Sequence, residues 1–99
     1  MTPEGKVKAD VKKYLKAIGC WFFLPVSNGM GQVGIPDFIC CYRGYFVSIE
    51  TKAPGKINNT TANQDRVIAE IKTAGGAAIV VDNVEQVKSF FSSHFGAVP

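Results

Sequence analysis

Apolar positions at the start of the chain recur with the period of a helix: Val7, Val11, Leu15 and Ile18 share one stripe until Gly19 stops the pattern. Thr2 and Pro3 supply an N-cap and a first helical residue ahead of it. The pattern then changes. Residues 20–26, "CWFFLPV", form an unbroken apolar run rich in aromatics and are expected as a strand, with Pro25 placing it at an edge or ending it. "SNGMGQVG", residues 27–34, reads as a glycine-rich loop.

Two further strands, "DFICCY" and "YFVSIETK", are joined by a turn at Arg43 and Gly44. After the polar "PGKINNT", Thr61 and Gln64 match the capping box that opens a second helix, which runs to about Ala74 before Gly75 and Gly76. "AAIVVDN" is β-branched and apolar, as expected for a central or parallel strand. Val84, Val87, Phe90, Phe91 and Phe95 mark a third helix. The order α-β-β-β-α-β-α implies an α/β fold: a mixed four-stranded sheet with helices on both faces. The piece from the third strand through the second helix to the fourth strand is expected to be a right-handed parallel crossover.

Three charged residues interrupt the hairpin: Asp37, Glu50 and Lys52. Glu50 and Lys52, two apart on a strand, share a face, and Thr51 points to the other. A hairpin closed symmetrically on Arg43 and Gly44 sets Tyr42 opposite Tyr45, Cys41 opposite Phe46 and Asp37 opposite Glu50. Two carboxylates are therefore expected side by side, where they repel unless one is protonated or a cation lies between them. Glu4 precedes the first-helix apolar positions at helical spacing, so it is expected on the buried stripe, as a third acid aimed at the pair. A plainer account of Glu4 is a first-turn acid that complements the helix dipole. Asp37 also suits a turn after Pro36, and Gln64 has its own role in the capping box. Three carboxylates without histidine or thiolate suit a hard cation such as Mg²⁺ or Mn²⁺. Lys52 is then placed to orient a bound water or to stabilise charge on phosphorus.

The remaining composition narrows the picture. At 99 residues and 46% hydrophobic, the chain fits one domain over residues 1–99 with a single core. No apolar run reaches the roughly 20 residues of a membrane span, and no apolar signal core follows the N-terminus, so a soluble intracellular protein is expected. Cys20, Cys40 and Cys41 are expected as reduced thiols, with Cys40 and Cys41 on opposite faces. His94 is the one histidine and there is no C-x-x-C pair, which disfavours zinc. A net charge of +3 permits a nucleic-acid partner without requiring one. Lys6, Lys8, Lys12, Lys13 and Lys16 cover the polar side of the first helix, either as a solvated face or as phosphate contacts.

Glu4, the "GIPD" that ends in Asp37, the "IETK" that carries Glu50 and Lys52, and Gln64 at the start of the second helix together resemble the VRR-NUC family of the PD-(D/E)xK nuclease superfamily. The resemblance covers nearly the whole chain and implies a restriction-endonuclease-like α-β-β-β-α-β core with an added C-terminal helix. It implies Mg²⁺- or Mn²⁺-dependent hydrolysis of DNA phosphodiesters, with Glu4, Asp37 and Glu50 as metal ligands and Thr51 as a ligand through its carbonyl. Lys52 would position the nucleophile and Gln64 would help organise the site. Stand-alone members, common in phage genomes, look like Holliday-junction resolvases that pair as homodimers. By this resemblance the chain is a phage or prophage protein acting on branched DNA in the host cytoplasm. A flap or nick nuclease, and a non-catalytic DNA-binding recombination accessory, are the alternatives. Asn28, Gln32 and Lys56 are candidate DNA contacts, and "WFFL" is either core or a subunit interface.

Overall fold

A computed structural model describes residues 1–26 and 33–99. The element order is α1 (Pro3–Ala17), β1 (Trp21–Phe23), β2 (Phe38–Tyr42), β3 (Tyr45–Thr51), α2 (Ala62–Thr73), β4 (Ala77–Val81) and α3 (Val84–Phe95). The sequence-predicted α-β-β-β-α-β-α order is thus the observed one. The Thr2 hydroxyl caps α1 by accepting the Gly5 N–H at 3.0 Å, with Pro3 in the first turn. Thr61 and Gln64 close both bonds of the expected capping box at α2. No helix among the described residues is long and apolar enough to cross a membrane.

The four strands lie in sequence order. β1 and β2 are antiparallel to their neighbours, and β4 runs parallel to β3. The β2–β3 turn is a two-residue connection in which both residues have positive φ, 51° at Arg43 and 83° at Gly44. That conformation matches the twist of the strands, and Arg43 is further tied to the C-terminal end by donating to the carbonyls of Phe95 and Ala97. The resulting register runs from Tyr42↔Tyr45 to Phe38↔Ile49, as the symmetric hairpin requires.

One expectation about strands needs correction. β1 spans only Trp21–Phe23 rather than the whole apolar run, because Pro25 cannot donate to the ladder; it is indeed an edge strand. β4 is parallel as expected but lies at the other edge of the sheet. Its apolar character comes from being sandwiched between α2 and α3, not from strands on both sides. Of the glycine-rich 27–34 loop, Val33 and Gly34 form a turn, while residues 27–32, with Asn28 and Gln32, lie outside the described residues.

The core fills the space between one sheet face and the pair α1 and α3. Val7, Val11 and Leu15 of α1 and Val87 and Phe91 of α3 join Phe38, Cys40, Tyr42, Val47, Ile49 and Val81 in one buried cluster. Cys40 is buried and Cys41 exposed, as their alternation demands, and all three cysteines are free thiols. The opposite face is covered by α2 only in part. Trp21 and Phe23, whose rings meet edge to face, and Phe46 remain substantially exposed there.

Phe91→Ala should therefore cost about 3–5 kcal/mol of stability in urea unfolding, whereas Trp21→Ala should cost under about 1 kcal/mol. Equal losses for the two variants would contradict this placement of the core.

Candidate functional site

Strand β3 carries its polar residues at the end nearest the start of α2. Glu50, Thr51 and Lys52 are all buried there, between apolar Ile49 and the polar loop that follows. Lys52 keeps the strand course by donating its backbone N–H to the Val81 carbonyl at 2.8 Å. Burying an acid and a lysine is costly unless each finds partners, and those partners define the site.

Gln64 supplies most of them. Its Oε1 accepts from the Thr61 backbone N–H and from Lys52 Nζ, each at 3.0 Å, and its Nε2 donates to Glu50 Oε2 at 2.9 Å. Two obligate donors at one end of the carboxamide fix its orientation, so the amide nitrogen must face the carboxylate. A single side chain thereby joins the α2 cap to the E-x-K pair. Lys52 Nζ also lies 3.5 Å from Glu50 Oε2. Oε1 of the same carboxylate is buried with no hydrogen-bond partner among the described residues.

Asp37 sits one residue before β2 rather than inside it, one step past the Phe38↔Ile49 pair and hence at the Glu50 end of the hairpin. Its carboxylate turns toward Thr51: Oδ2 accepts from the Thr51 N–H at 2.9 Å and from Thr51 Oγ1 at 2.7 Å. Oδ1 faces Lys8 Nζ of α1 at 3.7 Å. Gly34 lets the segment leading to Asp37 lie against α2. Its φ is +85°, and a Cβ there would stand 2.5 Å from the Asn63 carbonyl oxygen.

Burial pushes the Glu50 carboxyl up to about 7, and the negative charge of nearby Asp37 adds to the shift; Lys52 opposes it. The repulsion expected of facing acids is therefore present, though Asp37 is turned onto Thr51 and the two do not stand side by side unsupported.

Glu4 is exposed in the first turn of α1, not on the buried stripe as its spacing implied. Glu4 instead lines an open cleft of about 450 Å³ together with Lys52, Ala53, Gly55, Lys56, Asn58 and Asn59. The loop walls are braced, since the Gly55 N–H donates to Asp82 Oδ2 at 3.0 Å and the Asn59 N–H to the Lys56 carbonyl. Lys56 thus borders the same cleft as Lys52. Among the described residues no three acidic, histidine or cysteine side chains converge as one metal cage.

The site does fit a hard cation through the Asp37–Glu50 pair. One buried, partnerless carboxylate oxygen, a second carboxylate within electrostatic range and an all-oxygen donor set are what such an ion requires. Sequence reasoning missed two contributors, Thr51 as the anchor of Asp37 and Lys8 as its ion-pair partner.

No protein-family model matches the chain, and neither does any curated protein. Among solved structures, one described as a VRR_NUC domain matches at 26% identity with a TM-score of 0.73, covering 96% of this chain and 99% of that one.

The raised Glu50 ionisation predicts how metal-free stability varies with pH. The unfolded acid, near 4.5, releases its proton before the folded one, near 7, so the unfolded state gains across that window. Stability should be full below about pH 4.5, fall by roughly 2–3 kcal/mol as pH rises through 7, and level off above it. Thermal unfolding in chelator from pH 5 to 8 checks this: Glu50→Gln should flatten that fall, and an unchanged slope would contradict it.

Proposed function

We propose that the chain, similar in fold to a VRR_NUC domain and carrying an E-x-K strand, is a nuclease of the PD-(D/E)xK type: a metal-dependent DNA endonuclease acting on branched DNA such as Holliday junctions. The observation that carries this reading is the meeting of Asp37, Glu50 and Lys52 at one strand end, with Glu50 Oε1 buried and unpartnered. Mg²⁺ or Mn²⁺ would be held by Asp37, Glu50 and the Thr51 carbonyl, with Glu4 as the further acid of the adjoining cleft. When bound, the ion would polarise the phosphodiester and acidify a water.

The chain's own residues then have separable tasks. Thr51, through its amide and hydroxyl, fixes the Asp37 carboxylate. Gln64 holds Glu50 Oε2 and leaves Oε1 to the ion. Lys52, carried on Gln64 Oε1, is a donor positioned for the attacking water or for charge that develops on the phosphoryl oxygens. Lys56, on the cleft that Lys52 also lines, contacts the DNA backbone, and Asn28 and Gln32, outside the described residues, are proposed from the sequence to do the same.

A homodimer is part of the proposal. Exposed Trp21 and Phe23 on edge strand β1 offer aromatic surface of the kind that subunit contacts cover. A two-fold pair would carry two such sites for the paired strands of a four-way junction.

Lys52→Ala should lower cleavage of a labelled four-way junction in Mg²⁺ by at least about 100-fold while thermal unfolding stays within a few degrees of wild type. Full activity in that variant would sink the assignment. A panel of duplex, flap, nicked and four-way substrates at one salt concentration separates junction resolution from the flap or nick alternative. Binding without cleavage of any substrate would favour a recombination accessory.

A further inference from the structure

Lys8 has no task in the scheme above, yet its ammonium lies 3.7 Å from Asp37 Oδ1, the oxygen that Thr51 leaves free. Each carboxylate of the pair spends one oxygen on fixed donors. Asp37 Oδ2 takes both bonds from Thr51, and Glu50 Oε2 takes Gln64 and Lys52. The other two oxygens are left for a cation: among the described residues Glu50 Oε1 has no hydrogen-bond partner, and Asp37 Oδ1 faces the Lys8 ammonium at a loose 3.7 Å. The Lys8 side chain is 38% exposed, so it can leave without unpacking α1.

We propose that Lys8 is a place-holding cation that occupies the metal-facing oxygen of Asp37 until a divalent ion arrives, and then becomes a contact for a DNA phosphate beside the reacting one. This rests on the nuclease reading above and extends it. An ammonium at Asp37 offsets the mutual repulsion of Asp37 and Glu50 in the empty site. Once a doubly charged ion takes Oδ1, the ammonium is repelled by it and attracted to the polyanion the ion has bound. Lys8 is thus expected to weaken metal binding alone and strengthen DNA binding with metal present. A merely structural residue would not act with opposite sign on the two.

Lys8→Met preserves helix propensity and the apolar stem while removing the charge. Titration of Mn²⁺ by calorimetry without DNA should show affinity tightened by about threefold or more in Lys8→Met, a size typical of a partly exposed charge pair. Lys8→Gln should move the same way, and Lys72→Met, at the far end of α2, should not. DNA affinity is read in a Lys52→Ala background in Mg²⁺, where cleavage does not interfere. There, adding Lys8→Met should weaken junction binding and make the dependence of log affinity on log salt shallower by about 1, the signature of one lost phosphate contact. Unchanged or weaker Mn²⁺ affinity, or an unchanged salt slope, overturns the proposal and leaves the nuclease reading standing if the wild type still cuts. A wild-type chain that binds no Mn²⁺ overturns both.

Discussion

A carboxylate buried at the end of a central strand, with one oxygen hydrogen-bonded and the other partnerless, is the constraint around which the rest of the structure is arranged. Glu50 cannot be ionised there without help, and the help comes from two side chains, Gln64 and Lys52. Gln64 reaches back from α2, Lys52 comes from two residues along β3, and Asp37 approaches from the start of β2 bearing a charge that makes matters worse. A hydrophobic isostere would be the cheaper occupant of such a position. Retaining two acids beside each other makes physical sense when a cation completes the site.

The fold turns this local conflict into a stable geometry. The parallel step from β3 to β4 requires a crossover helix, and the N-terminus of that helix lands beside the end of β3. The capping box that starts α2 is built from the same Gln64 that holds Glu50 and Lys52, so the helix cannot shift without disturbing the pair. On the other side, Gly34 lets the chain press against Asn63, which brings the short approach to Asp37 onto the same spot. The core between α1, α3 and the sheet fills the other face, and the site closes at the sheet end where Lys8 of α1 also reaches Asp37.

Much of this was legible in the sequence because period and register are strict. The period of two along β3 put Glu50 and Lys52 on one face, a two-residue turn fixed the hairpin register, and Thr61 with Gln64 announced the start of α2. Glu4 shows where the same reasoning fails. Helical spacing gives the direction of a side chain but not whether a neighbouring layer covers it, and Glu4 in the first turn of α1 is exposed. The Asp37–Thr51 bonds escaped because Asp37 lies just outside the ladder, where strict alternation no longer dictates direction. Lys8 was hidden among five lysines of one helix, and only the tertiary position of Asp37 singles it out.

The Asp37–Glu50 pair is proposed as a cation site completed by the Glu50 oxygen that lacks a partner among the described residues. Anomalous diffraction from crystals soaked in Mn²⁺ measures this most directly. The account predicts a manganese peak in contact with Glu50 Oε1 and the Asp37 carboxylate. A protein that takes up manganese only elsewhere, with the Glu50 carboxylate still uncoordinated, would contradict it.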